Sequence, residues 1–243
     1  MNFKPTLALG ILLSVTTLNA NAAGLNPYTI NGVNLVYSSV SNVTWTKDAN
    51  LFKTLYDANP NLVNQITAVT PSYNDPSWGA QGIGDGDVID DFDTATGKVT
   101  WWGGIAFTNY LNSINYGGSN QWRLPTSNAI GGFNGTTGNE LGQLFYSELG
   151  GTAGNNIPDT ASFINEKAYA YWSGTEYASY PNYAWVFNTV IGFQGYYDKN
   201  HQYYAWAVSP GQVTAAVAEP GVIWLLGAAL LGWGGLKRRG HAG

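Results

Sequence analysis

"AYAYWSGTEYASYPNYAWVFNTVIGFQGYYDKNHQYYAWAV", residues 168–208, is the most strand-like stretch of this 243-residue chain. Four short apolar runs within it predict strands at 168–172, 183–188, 192–197 and 203–208. Because the connections between them are short, we expect three or four of these strands to form an antiparallel meander. Aromatic residues alternate within the runs, so Trp172, Trp185 and Trp206 are expected in the core rather than on a sugar-binding surface.

The preceding part of the chain predicts hairpins and short helices. Asn31-Gly32 is a favoured two-residue turn, so residues 28–37 are expected to form a hairpin, and residues 92–102 a second one. Apolar residues at helical spacing predict three helices, near Leu51, after Ala106 and at 139–149. Residues 71–91, rich in Gly, Pro and Asp, are expected to form a long loop. The fold class is therefore α+β, with short helices packed on a small antiparallel sheet.

Residues 1–22 have the pattern of a secretory signal peptide. Lys4 precedes an apolar segment at 7–18, and a small-residue cleavage pattern follows it. We expect signal peptidase to cut after Ala22, and the alternative is an uncleaved anchor. The residues that define this cleavage site are Ala20, Ala22 and Ala23.

The other end of the chain combines an apolar segment at 221–236 with a basic tail. As a helix, this segment is about 24 Å long, slightly shorter than the ~30 Å hydrocarbon core, so we expect a thin transmembrane helix. The basic tail is expected to stay in the cytoplasm by the positive-inside rule. Ala218, Glu219 and Pro220 precede this segment, and Lys237, Arg238 and Arg239 follow it.

This segment, residues 218–243, resembles the PEP-CTERM sorting signal, with Ala218 where that signal usually has its first Pro. The resemblance implies cleavage by an exosortase-type membrane protease in a Gram-negative bacterium that makes exopolysaccharide. A simple C-terminal membrane anchor is the alternative. In either case, residues 23–217 are expected outside the inner membrane, in the cell envelope or the extracellular space.

Composition limits what residues 23–217 can do. Residues 23–218 contain six Lys and Arg against fourteen Asp and Glu, a net charge of −8, so nucleic acid is not an expected partner. The absence of cysteine excludes disulfides, thiol catalysis and cysteine-ligated zinc. Eight of the ten tryptophans lie in these residues and can supply a packed core for one domain.

Four blocks of sequence carry a second resemblance: "VTWTKDANL" (43–51), "QWRLPT" (121–126), "YWSGTE" (171–176) and "DKNHQYYAWAVSPG" (198–211). In this order they resemble the Lcl C-terminal domain family, which includes the C-terminal domain of a collagen-like bacterial adhesin. The resemblance covers most of residues 28–211. It implies a C-type-lectin-like fold with long loops and, from the adhesin, binding of sulfated polysaccharide.

Arg123 is the only arginine between residues 23 and 217. It stands between core-type residues, which favours a structural salt bridge, with Glu140 or Glu176 as its partner. The alternative is a clamp for a ligand carboxylate or sulfate.

The acidic segment at 82–93 is the best candidate for a metal site. Its carboxylates are Asp85, Asp87, Asp90, Asp91 and Asp93. They could hold Ca²⁺, which takes 6–8 oxygen ligands, although the spacing does not match an EF-hand. A solvated loop without metal is the favoured interpretation, so no cofactor is expected. The Glu-Pro-Asn triplet of calcium-dependent lectins is absent, because Glu176 and Pro181-Asn182 are separated.

No catalytic residue is predicted. His201 is the only histidine between residues 23 and 217, and no nucleophile elbow, HExxH or P-loop motif occurs. We therefore expect an exported, non-enzymatic module that contacts polysaccharide through loops at 71–91, 127–139 and 151–160. Two alternatives are a glycoside hydrolase using Glu140 with Glu148 or Glu176, and a structural matrix protein without a specific ligand.

Overall fold

The computed structural model describes residues 24–77, 79–83 and 90–214. The strands are β1 Leu25–Ile30, β2 Val33–Ser38, β3 Val43–Thr46, β4 Ser72–Asp75, β5 Gly79–Gly82, β6 Phe92–Asp93, β7 Lys98–Val99, β8 Ala170–Glu176, β9 Tyr183–Asn188, β10 Phe193–Asp198 and β11 Val208–Pro210. The helices are α1 Leu51–Ala58, α2 Leu62–Val69, α3 Trp101–Ser113 and α4 Glu140–Gln143. The structure is thus α+β, with short helices and small antiparallel sheets.

The first sheet joins the two ends of the described chain in the order β1-β2-β3-β11. The predicted hairpin is confirmed: Asn31 and Gly32 both have positive φ, at 51° and 77°, as a tight two-residue hairpin turn requires. Strand β11 returns from the end of the domain to pair antiparallel with β3. This pairing ties residues near the end of the described chain to residues near its start.

The second sheet has the order β10-β9-β8, so three of the four predicted meander strands are confirmed. The prediction that 203–208 continues this meander is wrong. After β10 the chain crosses to the far edge of β8. There the backbone amide of Tyr204 donates to the Ala170 carbonyl at 3.0 Å, and Tyr204 forms a parallel bridge with Tyr171. The segment then reaches β11 in the first sheet, so it connects the two sheets.

Helix α3 begins earlier than the sequence predicts. Thr100 caps it by accepting a hydrogen bond from the Gly103 amide at 3.1 Å, so Trp101 and Trp102 belong to the helix and not to the β6–β7 hairpin. Ile114, expected to be buried with the other apolar residues of this helix, follows its last turn and is 47% exposed. Two further elements were not predicted: α2, and the β4–β5 hairpin within the expected 71–91 loop.

The predicted helix at 139–149 is a short α-helical turn followed by a π-helical turn at Leu144–Glu148. Its Asn139 cap accepts a hydrogen bond from the Gly142 amide at 3.0 Å. The π turn is shown by the Leu149 amide, which donates to the Leu144 carbonyl at 2.9 Å. The apolar side chains of this segment are buried, as its pattern predicted.

The two sheets and the helices enclose an aromatic core. Trp172, Trp185 and Trp206 are all buried, as predicted. Two core indoles are tied to neighbouring backbone: Trp172 donates to the Val99 carbonyl and Trp206 to the Thr46 carbonyl, each at 2.9 Å. Each such ring removes apolar area from water while keeping its N–H group satisfied.

Within the ranges that the structure describes, no helix is long and apolar enough to cross a membrane. The predicted signal peptide at 1–22, the cleavage residue Ala23, and the sorting signal at 218–243 with its helix at 221–236 lie outside the described residues.

Candidate functional site

A groove of about 170 Å³ opens beside the second sheet, and three of its six lining residues are tyrosines. We call it the tyrosine groove, formed by Tyr169, Ala170, Asn188, Val190, Tyr197 and Tyr203. Sheet pairing holds one wall, because Tyr197 lies in β10 opposite Ala184 of β9. The floor comes from the segment after β10, where Tyr203 exchanges two backbone hydrogen bonds with Val99 at 2.7 and 2.9 Å.

The groove presents ring faces together with unpaired polar groups. Tyr169 and Tyr197 are 45% and 46% exposed, and both rings contact the more buried Tyr203, with centroids 6.0 and 5.4 Å away. No described residue forms a hydrogen bond with these three hydroxyls. The side-chain oxygen Oδ1 of Asn188 accepts a hydrogen bond from the Val190 backbone amide at 2.9 Å. The side-chain NH₂ group of Asn188 is then free to donate to a ligand. Aromatic faces beside a few directed polar groups are typical of a small-molecule or sugar site.

The Tyr203 hydroxyl is neutral at physiological pH. Burial raises the pKa of Tyr203, and the neighbouring Tyr197 and Tyr169 raise it further. A neutral phenol can both donate and accept a hydrogen bond. The groove therefore suits a ligand rich in hydroxyl groups.

An aromatic strip continues from the groove along β10. Phe193 and Tyr197 flank Gly195, whose missing side chain leaves the surface between them flat: a Cβ there would lie 3.5 Å from Phe193 and 3.9 Å from Tyr197. Phe133 extends the strip, with its ring centroid 5.4 Å from that of Phe193. Positions 193 and 197 are about 13 Å apart along a strand. The strip and the groove together form an extended binding surface.

Positive charge lies at one end of the groove. The Lys98 ammonium is 5.2 Å from the centre of the Tyr169 ring. The His201 ring is nearly parallel to that of Tyr203, at 17° and 6.1 Å. None of the residues that line the groove is charged. Its chemistry is therefore that of a neutral aromatic surface with a cationic margin.

The opposite face of β10 carries a separate tyrosine stack. Tyr196 and Tyr177 are parallel at 3.9 Å, and Tyr177 stacks on Tyr180 at 6.0 Å. Tyr180 is 59% exposed. In this stack the rings cover one another, so less ring face is available than in the tyrosine groove.

Arg123 forms a bidentate ion pair with Glu140, one of its two predicted partners. Its two guanidinium nitrogens donate to the two carboxylate oxygens at 2.8 and 2.7 Å, and the Thr126 amide donates to the same carboxylate at 2.7 Å. The Arg123 backbone also exchanges two 2.9 Å hydrogen bonds with Val208. The arginine thus joins helix α4 to strand β11, and its guanidinium is already bound by Glu140.

Glu176, the other predicted partner, binds a buried lysine instead. The Lys199 ammonium is fully buried, 2.8 Å from Glu176 Oε1 and 2.5 Å from Asp75 Oδ2, and lies 4.4 Å from the centre of the Trp101 ring. Burial alone would raise the pKa of Asp75, but hydrogen bonds from Lys199, Ser77 and Trp102 outweigh it and lower that pKa. Of the three glutamates that a hydrolase could use, two are therefore held in ion pairs, and the third, Glu148, is 2% exposed.

The acidic segment is described only in part, because Asp85 and Asp87 lie outside the described residues. Asp90 accepts from the Phe92 amide at 3.0 Å, and Asp93 from the Ala95 amide at 3.0 Å. Asp91 accepts a hydrogen bond from the Thr100 hydroxyl. Across 24–77, 79–83 and 90–214, no group of three or more His, Cys, Asp or Glu is placed to hold a metal ion.

Sequence reasoning predicted loops near this surface but missed the groove itself. Residues 127–139 meet β10 through two hydrogen bonds between Gly132 and Gln194, at 2.8 and 2.9 Å. Residues 151–160 meet the β9–β10 turn, where Ile157 donates to the Thr189 carbonyl at 2.8 Å. The available signal was the Tyr-Tyr dipeptide at 196–197, because adjacent strand residues point to opposite faces, and both of these rings are exposed, Tyr197 in the groove and Tyr196 on the other face.

The comparisons with known proteins give one match. The model of the Lcl C-terminal domain matches residues 34–209, which include both sheets except for β1, the first residue of β2 and the last residue of β11. No curated protein and no solved structure matches the chain. The match covers well over half of the 243 residues, so the chain belongs to the Lcl C-terminal domain family.

Proposed function

We propose that this protein is an exported, non-catalytic module of the cell surface or extracellular matrix that binds polysaccharide through the tyrosine groove. Membership of the Lcl C-terminal domain family indicates a surface or extracellular, adhesin-like module. The observation that carries the proposal is the groove: three tyrosine rings, whose hydroxyls have no hydrogen-bond partner among the described residues, beside the side-chain amide of Asn188. Ring faces stack on the apolar faces of sugars, and the polar groups direct their hydroxyls.

The ligand we favour is a neutral glycan. The groove lining is uncharged, and residues 23–218 carry a net charge of −8, which repels a densely sulfated chain. Lys98 at the margin can accommodate an isolated acidic group. A C-type-lectin-like fold, as the family resemblance implies, is part of this proposal.

Delivery to the surface is the second part of the proposal. The pattern at 1–22 supports export followed by signal peptidase cleavage, and 218–243 supports sorting by an exosortase-type protease from an inner-membrane precursor. A C-terminal helix at 221–236 holds the precursor in the membrane until it is processed. The protein then acts in the envelope or the extracellular matrix.

The test is retention of the mature chain, residues 23–243 in detergent, on exopolysaccharide from an exosortase-bearing bacterium. Saturable retention with no new reducing ends in the eluate is the expected result. Release of sugar fragments would favour the hydrolase alternative, and absence of retention would favour a matrix protein without a specific ligand. A matched column without glycan measures background binding.

Calcium at the acidic segment is a separate hypothesis that the same column tests. The segment offers Asp85, Asp87, Asp90, Asp91 and Asp93, and Ca²⁺ prefers such oxygen ligands. The groove does not include these residues, so we expect retention to persist in chelator. Loss of retention on chelation, restored by Ca²⁺ alone, would instead assign binding to the acidic segment.

A further inference from the structure

Glu148 is a buried carboxyl group without a partner among the residues that the structure describes. It ends the π turn after α4 and is 2% exposed. Among the described residues, neither carboxylate oxygen has a hydrogen-bond partner and Glu148 forms no ion pair, while the neighbouring Ser38 hydroxyl is paired with that of Ser41 at 2.7 Å. Burial raises its pKa to about 7, and the nearby Ser38 hydroxyl only partly opposes this. An isolated buried carboxylate is unfavourable, so a group that neutralises it would stabilise the fold.

The chain segment beside Glu148 is Gly24, the first residue that the structure describes. A Cβ at Gly24 would lie 3.2 Å from Glu148 Oε1 and 2.9 Å from Val40. The Gly24 carbonyl accepts two hydrogen bonds from Ser39, from its amide at 2.9 Å and from its hydroxyl at 3.1 Å. These bonds hold the backbone of Gly24 in place next to the carboxylate.

Signal peptidase cleavage after Ala22 would create a new charged group one residue from this point. A chain that begins at Ala23 carries a free α-ammonium there, and adjacent Cα atoms are only about 3.8 Å apart. An uncleaved chain has a neutral peptide amide at the same atom. Cleavage therefore creates a cation on the residue directly before Gly24.

We propose that Glu148 is the binding site for the α-ammonium of the mature chain, so that removal of the signal peptide completes a buried ion pair and stabilises the exported domain. The proposal rests on the cleavage site of the proposed export route, but not on polysaccharide binding. A charge-assisted pair of this kind forms only after processing. The precursor thus keeps the unfavourable carboxyl until it has crossed the membrane.

The experiment compares two chains that differ only at the N-terminus: one begins at Ala23, and the other has two extra residues before Ala23. We expect the extended chain to unfold several degrees lower, and Glu148→Gln to remove that difference. Glu166→Gln is the matched control, because Glu166 also has a buried oxygen without a partner and a pKa raised by burial, yet its charged neighbours are Asp159, Asp48 and Lys167. The difference should persist in that variant.

A second measurement does not depend on stability. The α-amino group of the chain that begins at Ala23, followed by NMR, should titrate above its ordinary range of about 7.7–8.0, and Glu148→Gln should return it to that range. An ordinary titration, or a mature N-terminus found by mass spectrometry at another residue, would overturn the proposal. Retention on polysaccharide should be equal in both chains, so failure of either proposal is seen separately.

Discussion

The ion pair between Arg123 and Glu140 allows a worked prediction, because Glu140→Gln keeps the side-chain volume and removes the charge. Glu140 is 6% exposed and accepts two hydrogen bonds from the guanidinium and one from the Thr126 amide. Breaking a buried pair costs about 3–5 kcal/mol. The Arg123 side chain is 35% exposed and regains some hydration, so we take about 3 kcal/mol.

That loss converts into a measurable shift in the unfolding temperature. For a domain of this size, each kcal/mol lowers Tm by about 2–4 °C, so Glu140→Gln should lower it by roughly 6–12 °C in thermal unfolding followed by circular dichroism. Asp57→Asn is the control, because Asp57 is 60% exposed and pairs with Lys53 within α1. An exposed pair of this kind contributes below about 1 kcal/mol.

Two outcomes would refute this reasoning. If Glu140→Gln lowers Tm no more than Asp57→Asn, the pair does not hold α4 to β11. If it leaves Tm unchanged and abolishes polysaccharide retention, Arg123 is a ligand clamp rather than a structural residue. We expect the folded variant to keep its retention.

Three further predictions concern the core and pH. Lys199→Met leaves two carboxylates without their cation and should destabilise the domain by about 3–5 kcal/mol, measured by urea unfolding. The pKa of Asp75 is lowered in the fold, so its stabilisation is complete above its ordinary pKa and is lost as pH falls below about 4; Asp75→Asn should flatten this acid dependence of unfolding, and an unchanged pH profile would contradict it. Thr100→Ala removes both the cap of α3 and the hydroxyl that donates to Asp91, and should cost about 1–2 kcal/mol, whereas Thr100→Ser should recover most of it.

Local signals account for what the sequence predicted correctly. The Asn31-Gly32 turn defines its own hairpin, because both residues tolerate positive φ. The alternation around Trp185 reports burial on one face of a strand. A lone arginine among core residues needs a fixed carboxylate, and Glu140 provides it, whereas Glu176 is taken by Lys199.

The errors came from long-range pairing, which local patterns do not encode. A short link between 192–197 and 203–208 favours a hairpin, yet the chain crosses to β8 because its edge is free to pair with Tyr204. The tyrosine groove depends on that crossover, since Tyr203 is brought beside Tyr169 only by it. Hydrophobic patterning marks a tyrosine as apolar and does not say which ring remains exposed.

The most direct test of the account is the affinity of the mature chain for exopolysaccharide after substitutions in the tyrosine groove and, as a control, in the tyrosine stack. Tyr197→Ala and Tyr169→Ala remove exposed rings of the tyrosine groove, and Tyr180→Ala removes an exposed ring of the tyrosine stack. Loss of one ring contact worth about 1.4 kcal/mol weakens binding about tenfold. We predict that decrease for each groove variant, with Tyr180→Ala unchanged and all three chains equally folded. Equal affinity in the groove variants and the native chain, or a loss confined to Tyr180→Ala, would contradict binding in the tyrosine groove.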